Sequence, residues 1–306
     1  MASVMRIDHI GASAHPQRRT GPGRESAPAH DLAGFRHRAD MEYARSLTRL
    51  IESEIIPRLL VAHSNGAHGV PADPRGGAVL PDDVATFAPL TLQVEADELL
   101  EHVDRLIARG VSHETLLVDL LAPAARLLGE LWEDDRCDFV DVTMGLWRLQ
   151  QVVHEISGRS TYGLQQGPGP VRRALFASLE GDQHSFGTVV IDELFGSNGW
   201  TTHRINEAST SELMDRVRSE WFDLAGLTIT CDCHIAPLPS IVRALRVSSR
   251  NPRICVMVGG RVFINNAELA VSVGADGTAP DARIALGVAS DLVDAVAREA
   301  VSPMSG

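Results

Sequence analysis

The spacing of apolar residues divides the chain into a helical part and a part in which strands alternate with helices. Between residues 84 and 158, apolar residues recur every three or four positions, which is the spacing of one face of an α-helix. Gly110 is suited to end one helix, and Ser112 is suited to cap the next. The pattern predicts a small helical bundle, with helices at about residues 84–92, 94–109, 113–133 and 138–158.

From Val171 onward, short apolar runs bounded by glycine or polar residues alternate with helical stretches. This alternation is typical of a parallel sheet that carries helices on both faces. A fifth strand is expected just before the segment GTAPDA. The chain is therefore predicted to be an α/β protein, with a helical bundle ahead of a Rossmann-like sheet. The clearest strand-like runs are ALFASL, WTTHRI, DLAGLTIT and RICVMVGG.

The N-terminal part shows one further element. Residues 41–63 have a single apolar stripe at helical spacing, and this amphipathic helix either packs on the rest of the chain or binds a partner. The segments around it are rich in residues that favour tails and linkers. The predicted domains are a disordered tail (1–40), the amphipathic helix (41–63), a linker (64–83), the bundle (84–158), a second linker (159–170) and the α/β domain (171–306).

Charge and composition narrow the possible partners. The net charge is −12, and every basic residue is arginine. Contacts to nucleic-acid phosphates need clustered positive charge, so we expect no direct, specific DNA binding and an effect on DNA only through a partner. The chain has no apolar run long enough to span a membrane and no signal-peptide core, which predicts a cytoplasmic protein without membrane contact. Four scattered cysteines predict no disulfide framework.

Candidate binding residues fall where the predicted strands end. In an open parallel sheet, ligands bind outside the carboxyl ends of the strands. The sequence has neither a G-x-G-x-x-G motif after the first strand nor a P-loop, so nicotinamide, flavin and ATP are disfavoured. The residues at the strand ends are Asp182, His184, Ser185, Phe186 and Gly187 after the first strand, Thr228 and Thr230 after the third, Gly259 and Gly260 after the fourth, and Thr278 after the fifth.

Asp182 and His184 are the most informative pair among these residues. The Asp182 carboxylate can accept a hydrogen bond from one ring nitrogen of His184 and leave the other nitrogen free to bind a metal. One histidine is too few for a zinc site, but it suits a metal that a macrocycle already holds. Gly187 and the pair Gly259–Gly260 would let the backbone approach a bulky ring. The alternative is that the Asp–His pair only caps a helix.

The motif DQHSFG at 182–187, followed by TIT at 228–230 and GG at 259–260, resembles the cobalamin-binding fingerprint D-x-H-x-x-G, S-x-L and G-G of flavodoxin-like domains. The resemblance implies base-off, His-on binding of adenosyl-, methyl- or hydroxocobalamin. His184 would replace the cofactor's own base as the ligand of cobalt, and the nucleotide tail would lie between residues 228–230 and 259–260. Thr230 departs from the fingerprint, because it stands where the family has an apolar leucine.

The predicted bundle resembles the helical cap of the same family, a four-helix bundle that covers the upper face of the corrin. The resemblance implies that Trp132, Thr143 and Trp147 contact the cofactor, whereas the alternative for both tryptophans is a place in the bundle core. Relatives often carry a Glu-His pair after the tryptophan, and this chain has Val142 and Thr143 at those positions. His154, on the same predicted helix, is a substitute candidate for the upper ligand.

Three segments, LTRLIESEIIPRLLVAH, LWEDDRCDFVDVTMGLWRLQQVVHEIS and LFASLEGDQHSFG, resemble the AerR/PpaA family of photosynthesis antirepressors in purple bacteria, over about residues 41–300. The resemblance implies a light-sensing transcriptional regulator, not an enzyme, that binds cobalamin and acts on a PpsR/CrtJ-type repressor by protein–protein contact. The alternatives are a methyl-carrying corrinoid protein for a methyltransferase and a cobalamin repressor that binds DNA itself. The last would need a basic helix-turn-helix ahead of the bundle, and residues 1–83 show one helix and linkers.

The segment Cys231-Asp232-Cys233-His234 follows the third predicted strand. We interpret it as a loop that lines the cofactor tail. A metal site or a redox switch is the alternative, because thiolates and imidazole bind metals and paired thiols can be oxidised.

Overall fold

The computed structural model describes residues 77–160, 171–182, 186–264 and 266–301. The amphipathic helix predicted at 41–63 lies outside the described residues, as does the segment 183–185, which contains His184. All of the described residues belong to one compact unit that spans Leu47–Gly306. No helix among them is long and apolar enough to cross a membrane.

Within the described residues, four helical segments form the bundle. They are α1 Pro81–Leu90, α2 Ala96–Ala108, α3 (His113–Thr115, the π-helical Leu116–Leu121 and Ala122–Glu133) and α4 Phe139–Ser160. α1 begins inside the segment that its composition assigned to a linker, because proline fits the first turn of a helix.

The turn between α2 and α3 forms as its residues predict. Gly110 follows α2 with a φ of 89°, in the left-handed region that glycine adopts at little cost. The Ser112 hydroxyl accepts a hydrogen bond from the Thr115 N–H at 3.1 Å, which caps α3. Both predicted roles are confirmed, and a local signal therefore fixes this helix boundary.

The bundle core consists of apolar side chains that are almost fully buried. Gly145 of α4 permits close packing, because a Cβ there would lie 3.0 Å from Leu128 Cδ1 and 3.1 Å from Leu92 Cδ2. A larger residue would push α4 away from these neighbours. The buried leucines of the core are Leu99, Leu106, Leu116, Leu117, Leu120, Leu121, Leu128, Leu131 and Leu149.

The α/β domain contains a four-stranded parallel sheet. Its strands are β1 Arg173–Leu179, β2 Thr201–Ala208, β3 Leu224–Thr228 and β4 Cys255–Gly259. They are arranged in the order β2-β1-β3-β4, the order of flavodoxin-like folds. The predicted α/β class is confirmed.

The fifth strand expected before GTAPDA does not form in the described part of the chain. A single parallel bridge joins Gly277 to Met257 of β4, and the Val258 N–H donates to the Gly277 carbonyl at 3.0 Å. The buried Asp276 carboxylate accepts from the Val256 N–H at 2.7 Å. This side chain takes the N–H that a longer strand would bond through its backbone, so the pairing ends after one bridge.

Helices cover both faces of the sheet. They are α5 Phe186–Ser197, α6 Thr210–Ser219, α7 Leu238–Ser248, α8 Ala267–Ser272 and α9 Ala282–Val301. One face packs on α5 and α9, in a cluster where the rings of Phe176 and Phe195 meet edge to face with centroids 4.8 Å apart. The other face packs on α6, α7 and α8.

The bundle lies on the side of the α/β domain formed by α5 and α9. Phe186 and Leu194 of α5 are buried in the same cluster as the bundle core. Arg283 of α9 donates through Nε to Glu114 at 2.6 Å and through Nη2 to Asp119 at 3.0 Å, and both acceptors belong to α3. The contact between bundle and sheet therefore combines apolar burial with a charged anchor.

Candidate functional site

A tight turn after β1 places Asp182 at the carboxyl edge of the sheet. The Asp182 N–H donates to the Leu179 carbonyl at 2.9 Å, and Gly181 takes a φ of 84°, which suits glycine in such a turn. The chain folds back, and only 1% of Asp182 remains exposed. A carboxylate this deeply buried requires hydrogen-bond donors around it.

Thr230, in the segment after β3, supplies two of those donors. Its N–H donates to Asp182 Oδ2 at 2.8 Å, and its hydroxyl donates to Oδ1 at 2.5 Å. The bonded pair lies between neighbouring strands β1 and β3, at the switch point where open α/β sheets bind ligands. The hydroxyl bond also accounts for threonine in place of the fingerprint's leucine, because leucine would keep the backbone N–H but has no side-chain donor for Asp182.

The two glycines at the end of β4 have different roles. The Gly259 carbonyl accepts from the Ile229 N–H at 2.8 Å, and Gly260 has a φ of 99°. A Cβ on Gly260 would collide with the Ile229 backbone, so the two loops approach this closely only with glycine there. A Cβ on Gly259 would meet no atom of the described chain within 4 Å. The fold therefore requires Gly260, whereas Gly259 borders open space.

The start of α5 faces the end of β3. A Cβ on Gly187 would lie 3.9 Å from Thr228 Cγ2, its nearest neighbour in the described chain. Phe186 is 7% exposed and packs in the bundle core cluster, so its ring joins α5 to the bundle. The structure thus brings Gly187 and Thr228 together and directs Phe186 into the bundle. His184 and Ser185, predicted beside them, lie outside the described residues.

Two buried hydroxyls, Thr278 Oγ1 and Thr188 Oγ1, have no hydrogen-bond partner in the part of the chain that the structure describes. Thr278 follows the Gly277 bridge beside β4, and Thr188 lies in the first turn of α5. Leaving a buried hydroxyl unpaired costs about 1–3 kcal/mol, so such groups point to a bound water or ligand. The sequence singled out Thr278 but missed Thr188, although its place directly after Gly187 was a usable signal.

The bundle exposes large apolar side chains at the end of α3 and along the first half of α4. We call this surface the apolar face, and its members with their exposed fractions are Trp132 45%, Phe139 62%, Val140 64%, Met144 39% and Trp147 48%. Neither tryptophan belongs to the bundle core cluster. Exposed apolar patches of this kind mark binding surfaces. Thr143 accompanies them on α4, and its hydroxyl donates to the Phe139 carbonyl at 2.7 Å.

An ion pair connects this end of the bundle to the carboxyl edge of the sheet. Arg261, directly after Gly260, donates through Nη1 to Glu133 Oε1 at 3.0 Å. Glu133 is the last residue of α3 and follows Trp132, so this part of the apolar face lies near the loop after β4. Both charged side chains are mostly exposed, and such pairs contribute little to stability.

His154, the substitute candidate for an upper ligand, lies two helical turns after Trp147 and close to Glu193 of α5. Burial raises the pKa of Glu193, but hydrogen bonds from His113 and Ser157, together with the charges of His113 and His154, lower it, and the net shift is downward. His154 is exposed, and among the described residues its recorded interaction is this electrostatic one with Glu193.

The loop after β3 contains a disulfide between Cys231 and Cys233. The short 3₁₀ turn Asp232–His234 lies within this loop, and the Cys233 N–H donates to Cys231 Sγ at 3.2 Å. This local link is not the disulfide framework whose absence the cysteine spacing predicts; it forms because a tight turn brings residues two apart within bonding reach. No cluster of three or more metal-ligating side chains occurs among the described residues, so the metal-site alternative for this loop gains no support.

Comparison with known proteins assigns a family to the segment that carries these strand ends. Residues 172–287 match the B12 binding domain. The matched segment begins just before β1 and ends within α9, so it includes Asp182, Thr230 and both glycines. This match supports the cobalamin-binding resemblance of the motifs.

A curated protein from a purple bacterium also matches this chain. An uncharacterized 20.5 kDa protein in the bchF-crtJ intergenic region of Rhodobacter capsulatus is 25% identical over 173 residues, which cover 56% of this chain and 89% of that protein. Together with the B12 binding domain, this similarity is consistent with the AerR/PpaA resemblance.

One solved structure supports the same fold. The Methanosarcina barkeri monomethylamine corrinoid protein matches with a TM-score of 0.58 at 15% identity, over 69% of this chain and 98% of that one. A cobalamin-binding protein from Desulfitobacterium hafniense DCB-2 matches over the same shares at 17% identity, with a TM-score of 0.37, which is too low to indicate a shared fold. At such identities the likeness shows the fold alone.

Proposed function

We propose that this protein is a cobalamin-dependent, light-sensing regulator that acts in the cytoplasm as an antirepressor of a PpsR/CrtJ-type photosynthesis repressor, and not as an enzyme. The observation that carries the proposal is a B12 binding domain whose carboxyl edge lies beside the apolar face of the bundle. The relative from the bchF-crtJ region supports the choice of partner.

The residues at the carboxyl edge fit the polar nucleotide tail of cobalamin. The buried hydroxyls of Thr188 and Thr278 offer hydrogen bonds that the described chain does not use. Gly259 leaves space beside β4. We assign these groups, with Thr228, to the binding of the tail, because buried polar atoms in native proteins are normally paired.

We assign the cobalt ligand to His184, which the fingerprint places two residues after Asp182. Asp182 is fixed by two hydrogen bonds from Thr230, and each carboxylate oxygen can accept more than one bond. Asp182 can therefore also accept from the imidazole and leave its other nitrogen for the metal, as carboxylates commonly do beside metal-bound histidine. Ser185 is a predicted contact on the same loop.

The apolar face fits the upper side of the corrin ring. Burial of one large apolar side chain contributes about 1.5–3 kcal/mol, so a few such contacts suffice to close the bundle over a ring and exclude water. Thr143 stands where relatives have histidine, and its hydroxyl already bonds Phe139. This face therefore offers apolar contact with Trp132 and Trp147 and no imidazole.

Bound alkylcobalamin supplies a cobalt–carbon bond that light breaks. The apolar face would contact the alkyl group in the dark and lose that contact after illumination. A ligand shifts a protein between two states only by the difference in its affinity for them, so the dark and illuminated forms must favour different positions of the bundle on α5 and α9. The repressor would respond to that difference in the exposed surface.

Absorption spectra of the cobalamin-loaded protein, recorded in the dark and after illumination, test the assignment of His184. We expect the wild type to give base-off, His-on spectra that change with light, and His184→Ala to lose the His-on form. The matched control is His154→Ala, which should leave both spectra unchanged. If His184→Ala keeps the wild-type spectra in both states, His184 is not the ligand.

Co-purification with the repressor separates the regulator from a methyl-carrying corrinoid protein. The likeness to the monomethylamine corrinoid protein keeps that alternative open, whereas Val142 and Thr143 in place of Glu-His favour the regulator. We expect the amount of bound repressor to differ between dark and light in the wild type and not in His184→Ala. Equal amounts in dark and light, with methyl transfer to a methyltransferase substrate, would favour the carrier.

A further inference from the structure

We propose that Cys231 and Cys233 form a reversible redox pair that controls how firmly Thr230 fixes Asp182, and through Asp182 the affinity for cobalamin. The second half of this proposal rests on the proposed function, whereas the first half does not. The redox state of the two cysteines would then affect the same site as light does.

The pair is placed where a reductant can reach it. Cys231 and Cys233 are both exposed, and their disulfide encloses only Asp232. Of the other two cysteines, Cys137 is partly buried and Cys255 is buried. Burial, with the nearby Asp276 carboxyl, raises the pKa of the Cys255 thiol, which keeps it unreactive. Thiol–disulfide exchange is therefore directed to the loop after β3.

The loop is coupled to the site through one peptide bond. Cys231 directly follows Thr230, whose N–H and hydroxyl both bond Asp182. The disulfide holds the Cα atoms of Cys231 and Cys233 5.2 Å apart, whereas an unlinked chain can extend over two residues to about 7 Å. Reduction removes that limit from the turn that follows Thr230. The segment after Thr230 then has more conformational freedom. The two hydrogen bonds from Thr230 to Asp182 must restrict that freedom, so we expect them to weaken.

The reaction is thiol–disulfide exchange with a dithiol reductant, either a cellular one or an added one such as dithiothreitol. One reductant thiolate attacks a sulfur of the Cys231–Cys233 bond, which yields a mixed disulfide and one cysteine thiolate. The second reductant thiol attacks the mixed disulfide and releases the other cysteine. The cysteine pair gains two electrons and two protons, and the reductant leaves as its own disulfide. Oxidised glutathione or another small disulfide reverses the exchange.

Counting free thiols by alkylation and mass spectrometry tests the redox pair without cobalamin. After treatment with oxidised glutathione, we expect two of the four cysteines of the denatured protein to be alkylated, Cys137 and Cys255, and after dithiothreitol all four. The double variant Cys231→Ser/Cys233→Ser should give two in both cases. Four alkylated cysteines in the oxidised wild type would overturn the proposal.

Hydrogen exchange of the Thr230 amide, also without cobalamin, tests the coupling to Asp182. We expect exchange to be about threefold to tenfold faster in the reduced protein, the range for loss of one hydrogen bond. The Cys231→Ser/Cys233→Ser variant should match the reduced wild type and not respond to reductant, and Cys137→Ser should respond like the wild type. Equal exchange rates in both redox states would show that the pair does not act on Asp182.

Titration with adenosylcobalamin in the dark, after the reductant has been removed under argon, tests the effect on the site. We expect reduction to weaken binding by about threefold to tenfold, again with Cys137→Ser as the control. Equal affinity in both states would overturn the control of binding. No binding in either state would instead count against the proposed function, and the thiol count and the Thr230 exchange rate would still decide the redox pair.

Discussion

On the sheet side of the candidate site, polar groups bond to one another, whereas on the bundle side large apolar side chains face outward. Two hydrogen bonds join Asp182 and Thr230 at the ends of β1 and β3, and Gly260 packs on the Ile229 backbone. The apolar face has roughly half of each side chain exposed. The sheet side is therefore organised by its own hydrogen bonds, whereas the bundle side leaves apolar surface that a bound ligand could bury.

The largest expected effect concerns the two glycines on the sheet side. Gly260→Ala should lower the free energy of unfolding by about 2–4 kcal/mol, because a Cβ at positive φ would collide with Ile229. Gly259→Ala should change it by less than about 0.5 kcal/mol and weaken cobalamin binding instead, because its Cβ would enter open space. Urea unfolding and cobalamin titration of both variants measure this. Equal losses of stability would mean that the sheet side is less closely packed than described.

The next effect concerns the bundle side. Trp147→Ala should leave the unfolding free energy within about 0.5 kcal/mol of wild type, because the ring is half exposed, but weaken cobalamin binding by about 1.5–3 kcal/mol through lost burial. Trp221, equally exposed but at the start of the β3 segment, is the matched control. A binding loss of the same size in Trp221→Ala would remove the special role of the apolar face.

The smallest effect concerns the hydrogen bonds of Thr230. Thr230→Val removes the hydroxyl and leaves one Asp182 oxygen without that donor, which should lower the unfolding free energy by about 1 kcal/mol. Thr230→Ser keeps the hydroxyl and should lose much less. Urea unfolding of the pair measures the bond. If valine loses no more stability than serine, the hydroxyl of Thr230 contributes no more than its methyl group, and the sheet side is less polar than we describe.

The sequence predicted those parts of the molecule that depend on neighbouring residues. Gly110 and Ser112 mark a helix boundary by their own conformational preferences, and the alternation after Val171 indicates a parallel sheet without knowledge of strand order. The strand-end residues could be found because parallel strands end at one edge.

The remainder depends on contacts between residues far apart in the chain. Neither the bond from Thr230 to Asp182 nor the pair of Arg261 and Glu133 has a local signal, because each joins different elements. The motif predicts that Phe186 contacts the cofactor. That its ring also packs in the bundle core cluster is visible only from the packing of α5.

The bundle is fastened unequally to the α/β domain. On one side, Arg283 donates hydrogen bonds to Glu114 and Asp119, two of them parallel bonds to the Asp119 carboxylate. The apolar packing of α5 on the bundle adds to this contact. On the other side, a solvent-exposed ion pair joins Glu133 to Arg261 in the part of the chain that the structure describes. Any movement of the bundle away from the loop after β4 should therefore pivot about Arg283. Added salt should promote the first separation at Arg261, since screening weakens exposed charges most.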